Sequence, residues 1–244
     1  MKNDFVYGIH SVAALLERSP ERIDSLQVLE GRSDQRMQQL LQAAEEAQLR
    51  IVRVSRDALD KYEVKHQGVI ALLAKNFEYR EADLKQLIER ADNPLLLILD
   101  GVTDPHNLGA CLRSADAAGV DVVVAPKDNA ASLTPVVRKV ACGAAEAVPF
   151  VQVTNLARTL RDLQEWGVWI VGTAGEADTV IYDQDLKGPI AIAMGAEGSG
   201  LRRLTRERCD FLVKLPMAGS VSSLNVSVAT GICLFEVVRQ RRPQ

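Results

Sequence analysis

The chain has 244 residues, of which 47% are hydrophobic and 25% charged, a composition that excludes a disordered protein and allows one large domain or two modest ones. The longest aliphatic run, residues 95–99, is far shorter than the ~20 residues that span a bilayer, and the amino terminus lacks the apolar core of a signal peptide. We therefore expect a soluble, cytoplasmic protein with no membrane partner.

The arginines are clustered although the chain as a whole is slightly acidic. A formal charge of −3 and a pI of about 5.7 count against a uniformly basic surface for nucleic acid. However, Arg50, Arg53 and Arg56 are spaced by three, and further clusters lie at residues 202–208 and 239–242. Such clusters are more often solvated faces, so they permit an RNA partner without requiring one.

The cysteines and histidines form no metal-binding pattern. Neither CxxC nor HExxH spacing occurs among the four cysteines and three histidines, so we predict no metal site. We expect the four cysteines to be small buried residues: Cys111, Cys142, Cys209 and Cys233.

The first 75 residues predict a small αβαβ domain. Helices are predicted at residues 9–18 and 33–48, with a short third one after residue 54, and strands at residues 26–29, 51–54 and 68–73. The second helix repeats apolar residues at helical spacing (Met37, Leu40, Leu41, Ala44), and Ser33 is its expected N-cap. Residues 76–93 are rich in charge, and we predict a linker with one short helix at 82–90.

Residues 94–244 predict an α/β domain with a mainly parallel sheet and helices on both faces. The predicted strands are the apolar runs at residues 95–100, 120–126, 148–153, 168–174, 189–195 and 211–216. The predicted helices are residues 107–118, 134–144, 156–166 and 224–241. Continuous rather than alternating apolar runs are typical of strands buried on both faces. Ligands of such sheets bind beyond the carboxyl ends of the strands, so the following turns are the candidate sites.

Two polar residues stand out in the segment after the first of these strands. Asn107 opens a predicted helix, where a capping role would also explain it. Arg113 lies six residues later among small apolar residues. Its guanidinium needs a partner, and a substrate phosphate or carboxylate is a suitable one.

Two glycine-bearing turns complete the candidate site. Residues 194–201 (MGAEGSGL) place Glu197 among three glycines whose GxxGxG order differs from the dinucleotide fingerprint GxGxxG, which disfavours NAD binding. Residues 215–229 are rich in hydroxyl groups and contain Asn225, although Ser222, Ser223 and Asn225 could also be helix caps. Together the two turns could line one pocket.

These three segments resemble the motifs of the SpoU (TrmH-like) branch of the SPOUT methyltransferases. With GIHSVAALLER at residues 8–18 and HQGVIALL at 66–73, the resemblance covers residues 4–241. It implies S-adenosylmethionine-dependent methylation of the ribose 2′-hydroxyl of a guanosine in the peptidyl-transferase region of 23S rRNA, by a homodimer. It also implies a deep trefoil knot in the α/β domain and an N-terminal domain similar to RNA-binding ribosomal proteins.

The resemblance also assigns roles to residues. It implies cofactor contacts from Gly195, Leu215 and Leu224, with wall residues Thr173, Ala174 and Gly175. It implies a catalytic set made of Arg113, Glu197, Asn225 and Asn107. An arginine is a poor base because its guanidinium stays protonated, so we expect Arg113 to hold the adjacent phosphate and stabilise the developing alkoxide. Glu197 and Asn225 would orient Arg113 or the ribose, and Asn107 would shape the turn.

Several alternatives remain at this point. Arg113, with Arg50, Arg53 and Arg56, is expected to bind RNA. Glu146 fits either an RNA-side role or a salt bridge. A tRNA 2′-O-methyltransferase of the same family, or an inactive RNA-binding assembly factor, would carry the same motifs.

Overall fold

A computed structural model describes residues 5–74 and 78–242, with the backbone alone for residues 14 and 18. The chain divides between residues 77 and 78 into two compact units. Residues 76 and 77, at the start of the predicted linker, lie outside the described residues.

The first unit is a four-stranded sheet with its helices. Its strands are β1 (Phe5–Tyr7), β2 (Ile23–Leu29), β3 (Arg50–Val54) and β4 (Val69–Leu73), in the order β1-β4-β2-β3. Its helices are α1 (Ile9–Arg18), α2 (Gln35–Glu46), α3 (Arg56–Asp60) and a 3-10 helix at Pro20–Arg22. Strand β4 is antiparallel to β1 and β2, whereas β2 and β3 are parallel. The predicted elements are therefore confirmed, and β1 is an additional strand.

Alternate residues of the sheet build the core of this unit with α1 and α2. The apolar stripe of α2 is confirmed, because Met37, Leu40 and Ala44 are buried. The predicted N-cap at Ser33 is wrong: the helix begins later, and the Asp34 carboxylate accepts the Met37 backbone N–H at 3.3 Å. Arg32 Nε, 2.5 Å from the same carboxylate, holds this cap in place.

The second unit contains a seven-stranded sheet. Its strands are β5 (Leu95–Asp100), β6 (Val122–Pro126), β7 (Phe150–Val153), β8 (Trp169–Thr173), β9 (Thr179–Val180), β10 (Ile190–Gly195) and β11 (Phe211–Lys214). The order is β7-β6-β5-β10-β8-β11-β9, and every neighbouring pair is parallel. Its helices are α4 (Leu84–Glu89), α5 (Pro105–Ala117), α6 (Pro135–Ala141), α7 (Ala144–Ala147), α8 (Leu156–Glu165), α9 (Arg203–Glu207) and α10 (Val226–Arg241). Two 3-10 helices lie at Glu81–Asp83 and Ile181–Asp183.

Helices cover both faces of this sheet. Leu95, Leu97 and Leu99 of β5 belong to one apolar cluster with buried residues of α5 and α10. Leu96 and Ile98 point to the opposite face because side chains alternate along a strand, and both are fully buried. Helix α4 contacts β6 and helix α8 contacts β8. The predicted α/β fold with a parallel sheet is confirmed.

Residues 78–93 pack within the second unit rather than forming a free linker. Helix α4 buries Leu84, Leu87 and Ile88. The Glu81 carboxylate accepts hydrogen bonds from the Thr154 backbone N–H at 3.1 Å and from Arg158 Nη2 at 2.9 Å. Apolar burial and an ion pair therefore tie this segment to the sheet.

The predicted helix at 134–144 is interrupted. Cys142 and Gly143 adopt left-handed backbone conformations, with φ of 53° and 97°, so α6 ends and α7 begins around them. Cys142 is exposed, contrary to the expected burial, whereas Cys111 and Cys233 are buried and Cys209 is partly buried. All four cysteines are free thiols.

Candidate active site

A cavity of about 750 Å³ lies beyond the carboxyl ends of β8, β10 and β11. This volume is typical of small-molecule sites. All six predicted cofactor residues line it: Thr173, Ala174, Gly175, Gly195, Leu215 and Leu224. They come together because β8 lies between β10 and β11, so the three parallel strands end at one edge.

The turn at residues 195–201 forms one wall of the cavity by folding back on itself. Ala196 and Gly200 exchange backbone hydrogen bonds of 3.1 and 2.9 Å. A Cβ atom at Gly195 would lie 2.0 Å from the Gly200 carbonyl carbon, so no other residue fits there. Gly198 and Gly200 have φ of 80° and 65°, which glycine adopts without strain.

Glu197 is the centre of a cluster formed by all three sequence segments. Its Oε1 accepts hydrogen bonds from Asn225 Nδ2 at 2.5 Å, Asn107 Nδ2 at 3.2 Å and the Val226 backbone N–H at 3.3 Å. Asn225 Nδ2 also donates to Asn107 Oδ1 at 2.9 Å. The carboxylate is therefore held in one orientation by fixed donors at the rim of the cavity.

The two asparagines differ in their capping roles. Asn225 Oδ1 accepts the backbone N–H groups of Ser227 at 2.9 Å and Val228 at 3.4 Å, so it caps α10 while its amide binds Glu197. Asn107 is not a cap, because the Asp104 carboxylate caps α5 by accepting the His106 N–H at 2.8 Å. Asn107 in the first turn of α5 is thus free to bind Glu197.

Arg113 lies apart from this cluster. Its side chain is exposed, and the contact of its guanidinium within the described chain is Cys142 Sγ, 3.8 Å from Nη1. Six residues correspond to one and two-thirds helical turns, so Asn107 and Arg113 project from different sides of α5. The expectation that Glu197 and Asn225 orient Arg113 is not met within the described part of a single chain.

Other arginines near the cavity are engaged in ion pairs. Arg206 pairs with Glu176, and both side chains line the cavity. The pKa of Glu176 is lowered by a backbone hydrogen bond and by the nearby guanidinium. Neither residue was singled out from the sequence, although Glu176 directly follows the predicted wall residues.

The remaining predicted site residues fall outside the cavity. Arg50 and Arg53 are exposed on β3, but their odd spacing places them on opposite faces of the strand. Arg56 is exposed at the start of α3. Glu146 forms an ion pair with Arg138 at 2.5 Å, which favours the salt-bridge interpretation.

The cavity fits S-adenosylmethionine by size and chemistry. Met194, Leu215 and Leu224 supply apolar surface for a nucleoside, and Glu176 and Arg206 supply both signs of charge for an amino-acid end.

Within residues 5–74 and 78–242, no group of three or more acidic, cysteine or histidine side chains could hold a metal ion. Among the helices of the described ranges, none has both the length and the apolar character that a membrane-spanning segment requires.

Two family models match the chain. Residues 94–235 match the SpoU rRNA methylase family, and residues 5–79 match a substrate-binding domain of RNA 2′-O ribose methyltransferases.

Individual relatives extend this similarity to the full length. The chain is 63% identical to the 23S rRNA (guanosine-2′-O-)-methyltransferase RlmB of Shewanella oneidensis, across 99% of each chain. The crystal structure of the SpoU methyltransferase AviRb from Streptomyces viridochromogenes with AdoMet has a TM-score of 0.64 at 26% identity, covering 97% of this chain and 90% of AviRb. A TrmH/SpoU tRNA-modifying enzyme from A. aeolicus has a TM-score of 0.57 at 30% identity, covering 66% of this chain and 81% of its own.

Proposed function

Because the chain belongs to the SpoU rRNA methylase family, we propose that it methylates the ribose 2′-hydroxyl of a guanosine in the peptidyl-transferase region of 23S rRNA, in the cytoplasm. The methyl donor is S-adenosylmethionine. The observation that carries this proposal is the convergence of Asn107, Glu197 and Asn225 at the rim of a cavity lined by every predicted cofactor residue.

The chain contributes binding, orientation and charge to this reaction. When bound, the cofactor supplies an electrophilic methyl group on a sulfonium, and residues 173–175, Gly195, Leu215 and Leu224 hold it. Glu197, fixed by the two asparagines, forms part of the cofactor wall and also orients the ribose that enters at the rim. A reaction between two held groups gains most from this positioning.

Arg113 acts on the RNA side of the same step. We assign its exposed guanidinium to the phosphate beside the target ribose, where it also stabilises negative charge developing on the 2′-oxygen. A guanidinium is a poor base, which makes direct proton abstraction by Arg113 unfavourable. The absence of a strong internal partner among the described residues supports an external anion as its ligand.

The first unit supplies affinity for rRNA. The match of residues 5–79 to a substrate-binding domain supports this division, with phosphate contacts from Arg56 and from one of Arg50 and Arg53, which project from opposite faces of β3. The tRNA-modifying relative covers only 66% of the chain, whereas the 23S rRNA enzyme covers 99% of it, so rRNA is favoured over tRNA. The intact cluster around Glu197 disfavours an inactive assembly factor.

Incubation of the full chain with labelled S-adenosylmethionine tests this function. Undermethylated 23S rRNA and tRNA are offered separately, and the labelled nucleotide is mapped. We expect a 2′-O-methylguanosine in 23S rRNA. Label in tRNA alone would support the tRNA alternative, and cofactor binding without transfer to either RNA would support the assembly factor.

We also propose that the second unit is a deep trefoil knot. The hydrogen bonds from Asn225 and Val226 to Glu197 place the segment before α10 against the 195–201 turn, as wrapping of the two segments requires. A crystal structure with the chain traced continuously through residues 190–241 tests this proposal.

The active form is a homodimer in this proposal. Helix α10 is apolar on two sides: Cys233 and Leu234 are buried, whereas Val228 and Phe235 are 51% and 47% exposed. An apolar stripe on a helix that already packs on its own core suits a second copy of the chain. We expect Phe235→Arg to convert a dimer to a monomer in light scattering, with Leu204→Arg, which places the same charge at an exposed apolar residue of α9, as the control. A wild-type monomer would contradict the dimer.

A further inference from the structure

Asp100, the last residue of β5, is a fully buried carboxylate, and Arg202 binds both of its oxygens. Oδ1 accepts the Arg202 side-chain Nε–H at 2.5 Å, and Oδ2 accepts the Arg202 backbone N–H at 2.9 Å. The Asp100 side chain has no exposed surface, whereas that of Arg202 is 47% exposed. The fixed part of this pair is therefore Asp100.

Because Asp100 is charged and buried, its contact with Arg202 requires a fixed geometry. A buried carboxylate is costly unless it is paired and hydrogen-bonded, and removing one partner leaves the other without compensation. Arg202 satisfies the carboxylate only if its backbone and side chain both keep one position. The burial of Asp100 thus restrains the backbone at Arg202.

Arg202 directly follows the 195–201 turn, and Asp100 also pairs with the start of that turn. Gly195 lies opposite Asp100 in the register of β10 with β5. Asp100 therefore restrains both ends of the turn that carries Glu197. Because Gly195 packs against the Gly200 backbone, a shift at the end of the turn would move its start as well.

We propose that Asp100 is a positioning residue that, through Arg202, sets the conformation of the 195–201 turn and thereby the cofactor wall and the Glu197 cluster. This inference rests on the proposed function, because the turn lines the cavity assigned to S-adenosylmethionine. Asp100 itself is not among the residues that line the described cavity.

Asp100→Asn is the direct test. The Asn side chain has the size of Asp, but its amide nitrogen is a donor and cannot accept a hydrogen bond from an N–H group of Arg202. At least one of the two hydrogen bonds from Arg202 is therefore lost. We expect faster amide hydrogen exchange at residues 196–201 of the unliganded full chain, and about a tenfold loss of S-adenosylmethionine affinity by calorimetry. In steady-state methylation, kcat falls and KM for the cofactor rises, while KM for rRNA is unchanged.

Arg203→Ala is the matched control. It removes the neighbouring arginine, which pairs with Glu207 on the exposed face of α9. Exchange in the turn and cofactor affinity should match those of the unmodified chain.

Substitutions of Arg202 keep the test decisive if Asp100→Asn does not fold. Arg202→Ala removes the Nε contact but keeps the backbone N–H, so it should produce the same changes at smaller size, and Arg202→Lys should lie between it and the unmodified chain. Unchanged exchange in the turn and unchanged cofactor affinity in folded Arg202→Ala, or in folded Asp100→Asn, would overturn the proposal. Failure of the unmodified chain to bind the cofactor would instead refute the proposed function, and the exchange result would still decide the role of Asp100.

Discussion

The surroundings of Glu197 and of Arg113 differ although helix α5 contributes to both. Glu197 is held by three hydrogen bonds from within the chain, whereas the exposed Arg113 guanidinium has one weak contact among the described residues, 3.8 Å from a sulfur atom. A group that presents a fixed surface to a cofactor gains from internal partners. A group that binds an external phosphate loses affinity if an internal carboxylate competes for it.

The largest effect is expected for Arg113→Ala. Turnover in a single-turnover methylation assay should fall about a hundredfold, because one charge-assisted contact to the transition state is lost. Melting temperature and cofactor affinity should stay unchanged, since the side chain is exposed. Arg113→Lys should restore little, because the planar fork is lost.

Arg161→Ala is the control for that loss, since Arg161 is another exposed arginine, 4.0 Å from Glu165 on α8. If stable Arg113→Ala protein methylated at a near-normal rate, Arg113 would have no part in the mechanism. If Arg113→Ala also lost cofactor binding and stability, Arg113 would have a structural role, and the proposed difference in function between Arg113 and Glu197 would be wrong.

Glu197→Gln should reduce turnover and cofactor affinity together, by about tenfold each, because hydrogen bonds to a charged acceptor are weakened. This joint effect distinguishes a fixed wall group from Arg113, whose loss should change turnover alone. Calorimetry and single-turnover rates on one preparation measure both quantities. Glu207→Gln, an exposed carboxylate on α9, serves as the control. Unchanged cofactor affinity in Glu197→Gln would show that Glu197 does not contribute to cofactor binding.

A smaller effect is expected at β3, where Arg50 and Arg53 project from opposite faces. If one face of the strand contacts rRNA, only one of Arg50→Gln and Arg53→Gln should weaken binding, by about threefold, and lower the salt dependence by about one phosphate contact. Filter binding at several salt concentrations measures this. Equal effects of the two substitutions would contradict a one-sided contact.

The smallest effect on turnover is expected at Cys142, whose exposed thiol lies beside Arg113. Burial raises the pKa of Cys111 to about 11 and that of Cys233 to about 12, and it raises the pKa of Cys209 to about 12. At pH 8, iodoacetamide should therefore label Cys142 first, because the thiolate is the reactive form. Cys142→Ser should change turnover less than about twofold, because sulfur is a weak acceptor. Preferential labelling of a buried cysteine, seen by mass spectrometry, would contradict the observed packing.

Apolar patterning predicted the central strands and most helices because long buried runs have few alternative structures. It missed β1 and β9, which have three and two residues and are too short to show a pattern. The break between α6 and α7 was also missed, although Gly143, of a residue type that often ends helices, directly follows the left-handed Cys142.

The site could be predicted in part for a related reason. Parallel strands bring their carboxyl ends to one edge, so the turns after the strands were the candidate sites, whereas the individual wall residues came from the resemblance to the SpoU methyltransferases. The hydrogen-bond partners of Glu197 come from two other segments of the chain, so they depend on side-chain directions that local sequence does not show. The separation of Arg113 from these residues depends on its angular position around the axis of α5. The pairing of Arg202 with Asp100 spans 102 positions and leaves no trace in local sequence.

The strand order also has a consequence for synthesis of the chain. Strand β10 lies between β5 and β8, so Leu95 meets Ile190 at the centre of the sheet. Until residue 195 has emerged from the ribosome, β5 and β8 each expose an unpaired apolar edge of the kind that promotes aggregation. Pairing between such distant segments is intrinsically slow to form. The nascent second unit therefore depends on late-made residues for its central contacts, and a chain released before β10 would lack the middle of its sheet.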